Sequence, residues 1–446
     1  MIRTRMAPSP TGNLHIGTAR TTLFNWLFAR KNKGEFLLRI EDTDLERSKP
    51  EYEKDVIDGL RWLGLGWDNK EIIRQSERLN IYEAYLKKLL SSSKAFWCDH
   101  TKEELEEESK KQRAKSKSPR HICSHKKEKR NSGQIIRLSV DENSDKKIRF
   151  QDVIRGKIEF EENLMGDFSL AKDLQTPLYN FAVVADDIDM EISHVIRGED
   201  HISNTPKQLL IYEALGMNPP IFAHLPLILG ADRSKMSKRH GETSINEYKK
   251  DYLPEVMINF MGFLGYTYGK EIISKEEMVQ ELELEKVHKS GAIFDAKKLN
   301  WINSQYIKKL SPQEFKNLAN VPNLPNEAVS LVTERLEKLT DVSNFDYFWK
   351  SPDYDSELLK WKKFSLKDSK KSLEQVEKIV SSHNFKNKDE IRSKLDDLAK
   401  EIGDRGLVYW PFRVALTGRD KSPDPVDVAY VLGKEKTLER VRLALE

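Results

Sequence analysis

His15, Ile16 and Gly17 close the run Pro8-Ser9-Pro10-Thr11-Gly12-Asn13-Leu14, and these types in this order suit the handling of an anion. Ile2 to Ala7 alternates like a strand, while two prolines and Gly12 break regular structure. From Thr18, Ala19, Leu23, Trp26 and Leu27 take helical spacing. His15 and Gly17 therefore fall where a strand hands over to a helix. The free N–H groups and positive dipole end of such a helix attract a phosphate. Gly17 keeps the backbone bare for close approach, and His15 can donate to a phosphate oxygen. A histidine and two glycines near a turn also occur with no ligand at all. A second run, Ser234-Lys235-Met236-Ser237-Lys238-Arg239, places cations on a loop that follows Gly230. Alone, that loop reads as a solvated basic turn.

A third group is Cys98-Asp99-His100 with Cys123-Ser124-His125. Two thiolates and two imidazoles in paired short spacing suit a tetrahedral zinc, which assigns Cys98, His100, Cys123 and His125 as ligands, with His121 able to replace one. A cysteine is otherwise a small buried hydrophobe.

The elements that must position these groups follow from the wider pattern. The 446 residues suggest two to four domains. Hydrophobic content of 38% and charged content of 33% fit a soluble globular chain with a polar surface. No apolar run approaches membrane-spanning length, and the N-terminus lacks a signal peptide's apolar core. Two cysteines argue against a disulfide framework and for a reducing, cytoplasmic setting. A net charge of +3 says little about nucleic acid, but Ser109 to Gly133 carries ten Lys or Arg and one acid. That stretch is either a solvated loop or a contact for a polyanion backbone.

Residues 1–90 alternate strand and helix, with Glu35 to Ile40 as a buried strand ending in Glu41, Asp42 and Asp44. A parallel sheet covered by helices follows, with ligands at the carboxyl ends of its strands. Residues 91–178 read as an insertion with a charged helix, Lys102 to Lys115, and short strands. The sheet pattern resumes at Tyr179 to Val184 and Ile192 to Ile196. Residues 231–305 turn helical after the lysine loop, and helical periodicity dominates 306–446, with Gly403, Gly418 and Gly433 placed as helix stops.

The His15 and Lys235–Arg239 runs together resemble the two signatures of class I aminoacyl-tRNA synthetases. Arg5-Met6-Ala7-Pro8-Ser9-Pro10-Thr11-Gly12, Arg39-Ile40-Glu41-Asp42-Thr43-Asp44, Tyr179-Asn180-Phe181-Ala182 and His194-Val195-Ile196-Arg197-Gly198-Glu199-Asp200-His201 narrow the likeness to the glutamyl-tRNA synthetases of bacterial type. The likeness is dense to about residue 305 and thinner beyond. It implies an α/β fold: a Rossmann-type catalytic domain in two halves (1–90 and 179–230), an inserted acceptor-binding domain (91–178), a lysine-loop and stem-contact domain (231–305) and an all-helical anticodon-binding region (306–446). It implies ligation of L-glutamate to a glutamate-accepting tRNA through an adenylate, by a monomer, with ATP and magnesium. It assigns His15, Gly17, Lys235, Lys238 and Arg239 to catalysis, and Pro10, Gly12, His15, Gly17 and Lys238 to ATP. Arg5, Ala7, Ser9, Glu41, Tyr179 and Arg197 fall to glutamate. Many bacterial relatives hold zinc where Cys98 and Cys123 lie, but usually with Cys-x-Cys where this chain has His100. From the residues alone, Arg5 could instead pair with Asp42 or Asp44, and Tyr179 could be a core aromatic at a strand start. A glutaminyl enzyme, a small nucleotidyltransferase and a non-catalytic RNA-binding module are the other readings. Intact His15 and Lys238, and the helical third of the chain, weigh against the last two.

Overall fold

The alternating N-terminus forms β1 (Arg3–Met6), and the helical spacing beyond it forms α1 (Ile16–Lys31). The structure is a computed structural model that describes every residue except Lys117, Lys129, 238–242 and Lys386. The chain divides into two compact units, one of residues 1–249 and 254–296, the other of 250–253 and 297–446.

In the first unit, β2 (Glu35–Ile40) runs parallel to β1 with Arg5 opposite Leu37, and α2 (Pro50–Trp62) starts on a proline. β3 (Ile73–Arg74) pairs parallel to β2, and α3 (Leu79–Ser91) follows. Next come β4 (Ala95–Cys98), α4 (Lys102–Ala114), β5 (Ile135–Leu138), β6 (Lys147–Asp152), β7 (Gly156–Glu161) and β8 (Ser169–Ala171). Thr101 and Glu104 form a capping box that starts α4 as the charged run begins. Strands β4, β5 and β8 make one antiparallel sheet. The chain continues through α5 (Tyr179–Asp189), β9 (His194–Gly198), α6 (Thr205–Leu215), β10 (Ile221–Leu225), β11 (Ile228–Leu229), α7 (Ile245–Tyr248), α8 (Pro254–Phe263), α9 (Lys275–Glu281) and β12 (Ala292–Ile293). A second sheet has the order β7-β6-β10-β9; β9 and β6 both run parallel to β10, and Phe222 lies opposite Asp152.

Buried side chains on both sides of α1 position the site. Ala19, Leu23, Phe24 and Leu27 are fully buried, each large one contributing about 1.5–3 kcal/mol. The Asn25 amide donates to the Ile196 carbonyl (2.9 Å), which pins α1 to β9. The Ser193 N–H donates to the Arg3 carbonyl (3.0 Å), which sets the start of β9 beside β1. The carboxyl ends of β1, β2 and β9 therefore open on one place.

One expectation fails. Tyr179 to Val184 is the start of α5, not a strand. Phe181 to Ala185 are buried against α3 and α6, so a short apolar run with β-branched residues reads the same in either state.

In the second unit, α10 (Ala296–Ile307), α11 (Pro312–Leu318), α12 (Asn326–Thr333), α13 (Leu366–Ser382), α14 (Lys388–Ile402), α15 (Arg405–Thr417) and α16 (Pro425–Leu445) follow. α12 ends at Thr333, and short 3-10 turns cover Leu339–Phe348. Gly403 and Gly418 stop α14 and α15 in the left-handed region, while Gly433 (φ 79°, ψ 167°), expected as a stop, kinks α16 instead.

Candidate active site

His15 is the N-cap of α1 (φ −78°, ψ 145°), and its Nδ1 accepts the Gly17 N–H at 3.0 Å. A ring that accepts at Nδ1 carries its proton on Nε2, so Nε2–H is the donor it offers. Burial, then the Lys235 charge, hold His15 below the ordinary histidine range, so it stays neutral at pH 7. A Cβ at Gly17 would come 3.2 Å from Nδ1 and press on this cap. The Ile16 N–H donates to the Thr243 carbonyl (2.8 Å) and the Ile245 N–H to the Leu14 carbonyl (2.9 Å), fastening the signature on its other side.

A cleft of about 510 Å³ opens here. Arg5, Ala7, Ser9, Gly12, His15, Gly17, Glu41, Tyr179, Arg197 and Lys235 line it. Pro10 does not; it is buried, and its carbonyl accepts the Lys49 N–H (3.0 Å), so it shapes the turn from behind. Lys238 and Arg239 lie outside the described residues.

One end of the cleft is a buried charge network. Arg39 is fully buried among Asp187 (2.8 Å), Glu41 (3.0 Å) and Asp186 (3.4 Å). Arg5 straddles Asp187, with Nε and Nη2 each 3.2 Å from a carboxylate oxygen. The surface pairing of Arg5 considered above is thus replaced by a buried one: Asp42 instead accepts from Ser76 and Asp44 from Arg47. Burial opposes charge on Asp187, but Arg5 and Arg39 outweigh it and hold the carboxyl below its usual range. At Glu41 burial wins over the pull of Arg39 and pushes the carboxyl up.

Arg197, at the end of β9, is also buried but, among the described residues, touches no carboxylate closely enough to pair. Its Nε donates to His224 Nε2 (3.2 Å) and its Nη2 to Thr205 Oγ1 (2.9 Å), while Nη1 is buried with no partner among the described residues. Tyr179, the first residue of α5, donates its hydroxyl to His201 Nδ1 (2.9 Å), and burial beside Arg197 pushes His201 down to about 4, leaving it neutral. Tyr179 therefore lines the cleft from a helix start.

At the other end the lysine loop turns back on β11. The Gly230 N–H donates to the Ser234 carbonyl (2.9 Å) and the Met236 N–H to the Ile228 carbonyl (2.9 Å). Lys235 Nζ then sits 3.0 Å from Asp200, with the two side chains 63% and 46% exposed.

The cysteines also converge, but with a different histidine. Ligand atoms of Cys98, His100, His121 and Cys123 all lie within 4.8 Å of one another. Cys98 Sγ is 3.4 Å from His100 Nδ1 and 3.9 Å from His121 Nε2; Cys123 Sγ is 3.5 Å from His100 Nδ1. Tetrahedral zinc, at about 2.3 Å from sulfur and about 2.0–2.1 Å from nitrogen, sets neighbouring ligand atoms roughly 3.3–3.8 Å apart; the two contacts of His100 have that spacing, and the wider pairs, up to 4.8 Å, would have to draw in around an ion. Glu108 contacts His121 Nδ1 at 2.6 Å, the kind of support that orients a metal-binding ring. His125 is displaced from the role expected of it: its Nδ1 accepts the Asp99 N–H (3.2 Å), and its ring lies against that of His100.

Sequence reasoning missed Arg39, Asp186, Asp187, His224 and Arg20. The acidic pair inside the apolar run Phe181 to Ile188 was a readable signal. Arg20 was not: it donates to the carbonyls of Leu264 (3.0 Å) and Pro226 (2.6 Å), which only the fold brings near.

Residues 1–301 match the family "tRNA synthetases class I (E and Q), catalytic domain", and residues 285–445 match "Anticodon binding domain". A glutamate–tRNA ligase of Thermodesulfovibrio yellowstonii is 41% identical, with all of both chains covered. One of Carboxydothermus hydrogenoformans is 42% identical over 99% of each. A crystal structure of a glutamate tRNA ligase from Elizabethkingia meningosepticum in complex with its amino acid is 32% identical, with a TM-score of 0.87 over 100% of this chain and 99% of that one.

Proposed function

The chain belongs to the class I tRNA synthetases of the glutamate and glutamine family, and from that premise we propose that it ligates L-glutamate to the 3′ end of a glutamate-accepting tRNA. The glutamate α-carboxylate attacks the α-phosphate of ATP and pyrophosphate leaves. A terminal ribose hydroxyl of the tRNA then attacks the adenylate carbonyl and AMP leaves. No side chain forms a bond, so the enzyme's contribution is positioning and charge stabilisation.

The observation that carries this reading is Arg197 Nη1, a buried donor with no partner among the described residues, in a cleft that also presents Arg5, Glu41 and the start of α1. Arg5 and Arg197 receive the two carboxylates, Glu41 receives the ammonium, and Ala7, Ser9 and Tyr179 close the pocket. His15 donates from Nε2 to the transferring phosphate. Gly12 and Gly17 allow the nucleotide close to the backbone. Lys235, Lys238 and Arg239 neutralise charge as pyrophosphate departs. Family members use ATP with magnesium, which neutralises the triphosphate. Cys98, His100, His121 and Cys123 would hold zinc, which would clamp two turns of the 91–178 region together. That region meets the acceptor end, 231–305 the stem and 306–446 the anticodon. The thiol cluster suits a reducing cytoplasm.

ATP–pyrophosphate exchange and tRNA charging, run with glutamate and with glutamine and with and without tRNA, test the reading. Charging with glutamate is expected. Preference for glutamine overturns the substrate, and activity with neither overturns the catalysis.

A further inference from the structure

Arg197 can donate but never accept, so its orientation depends on what accepts from it. Two of its nitrogens are anchored by uncharged groups, His224 Nε2 and Thr205 Oγ1, and the third is left for the cleft. An imidazole nitrogen accepts only when it carries no proton. Behind His224, Asp152 Oδ2 lies 2.6 Å from Nδ1, and both side chains are fully buried. Asp152 Oδ1 accepts the N–H groups of Ile154 (3.0 Å), Arg155 (2.8 Å) and His224 (3.3 Å). Three amide donors favour the ionised carboxylate, and an ionised Asp152 can only accept from the ring.

We infer that Asp152 and His224 are positioning residues that fix Nδ1–H on His224, so that Nε2 holds the Arg197 guanidinium in place for a substrate carboxylate; this rests on the reading of Arg197 as a glutamate-binding group. Asp152 stands at the end of β6, a strand that the chain lays beside β10 through a long excursion. Its role reaches the substrate through two side chains and touches no reacting atom. With the other tautomer, Nε2–H would face Arg197 Nε–H, and the anchor would become a donor–donor clash. Among the described residues the arrangement also leaves the positive charge of Arg197 without a directly bonded carboxylate, in contrast to Arg5 on Asp187.

Asp152→Asn separates this role from a merely structural one. The amide oxygen can keep the three backbone N–H groups, while its NH₂ donates to His224 Nδ1 and drives the proton to Nε2. Loss of one buried hydrogen bond to a charged group predicts a rise of about 10- to 100-fold in the KM for glutamate in tRNA charging, with the KM for ATP little changed and the melting temperature held. Nitrogen-15 spectra of the histidines should show His224 moving from the Nδ1–H to the Nε2–H form. His224→Gln places an amide oxygen where Nε2 accepts and should restore most of the glutamate affinity that His224→Leu loses. Equal rises for glutamate and ATP, an unmoved tautomer, or a flipped tautomer with normal glutamate KM each overturn the inference. If Arg197→Ala leaves the glutamate KM unchanged, it is the assignment of Arg197 that fails; if that variant raises it and Asp152→Asn does not, the positioning role alone fails.

Discussion

At one end of the cleft Arg5, Arg39, Glu41, Asp186 and Asp187 are buried and interlocked; at the other Lys235 reaches Asp200 with both side chains substantially exposed. The first arrangement has few ways to relax, because each charge is held by at least one other and water cannot replace a missing partner. It suits recognition of a small, fixed ligand with charges at set positions. The second is screened by solvent and ordered by one contact, so it can yield when a triphosphate enters and leaves. The same substitution of a charge should therefore cost very different amounts at the two ends.

The largest effect is expected at Arg39. Arg39→Ala leaves three buried carboxylates short of their shared cation and should lower stability by about 3–5 kcal/mol, read as a fall in the urea midpoint. A loss below 1 kcal/mol would show that the network is wetter than its burial implies. Arg197→Ala comes next. On the proposed reading it removes the partner of a desolvated substrate carboxylate, which predicts a rise in the KM for glutamate of about 30-fold or more. The KM for ATP should change only weakly, and equal losses for both would make Arg197 structural.

The exposed end was the legible one in the sequence. His15, Gly17 and Lys235 stand in runs that each read blandly alone and suggest an anion only when taken together, because local turn and helix-start chemistry is written in neighbouring residues. The interlocked end was half legible. Glu41 and Arg5 stood out by resemblance, but Asp187 meets Arg5 across 182 positions of chain, and nothing local marks that pairing. The same limit explains the histidines of the cysteine cluster. Cys98-x-His100 and Cys123-x-His125 look symmetrical in sequence, but His121 precedes Cys123 on an extended segment, and only Glu108 on α4 turns its ring inward. Tyr179 was placed at the cleft by resemblance while its element was misread, since a buried apolar stretch carries no periodicity to separate strand from helix.

The cysteine cluster extends the comparison, because with a zinc ion bound it would be a third interlocked site. His121→Ala should abolish stoichiometric zinc in elemental analysis of the purified protein, whereas His125→Ala should retain it. The reverse pattern would restore the symmetrical ligand set. Chelation or Cys123→Ser should then weaken tRNA charging more than the ATP chemistry at His15.

Glu41 gives the interlocked end a pH signature of middle size. Burial has raised its carboxyl against the pull of Arg39, so it takes up a proton at higher pH than an exposed glutamate does. On the proposed reading, only the ionised form attracts the substrate ammonium. Glutamate affinity should therefore fall as pH is lowered toward the carboxylate range, with an acid limb that begins at higher pH than an exposed glutamate would give. Glu41→Gln should flatten this limb and leave weak binding at every pH. A limb unchanged in that variant would assign the titration elsewhere.

Asp200→Asn should have the smallest effect, and its smallness is the point. An exposed ion pair contributes about 0.2–1 kcal/mol, so stability should hardly move. Releasing Lys235 removes only a screened contact, and the rate of pyrophosphate exchange should change by less than about fivefold, in a direction set by which state the pair favours. If Asp200 holds the loop back, the variant is faster and its KM for ATP falls. If it aims Lys235 at the phosphates, the variant is slower. In either case the difference from wild type should shrink as salt is raised, because solvent ions screen an exposed pair. A loss of a hundredfold, insensitive to salt, would mean that Lys235 and Asp200 are desolvated when ATP is bound, and that this end too becomes interlocked once its ligand is in place.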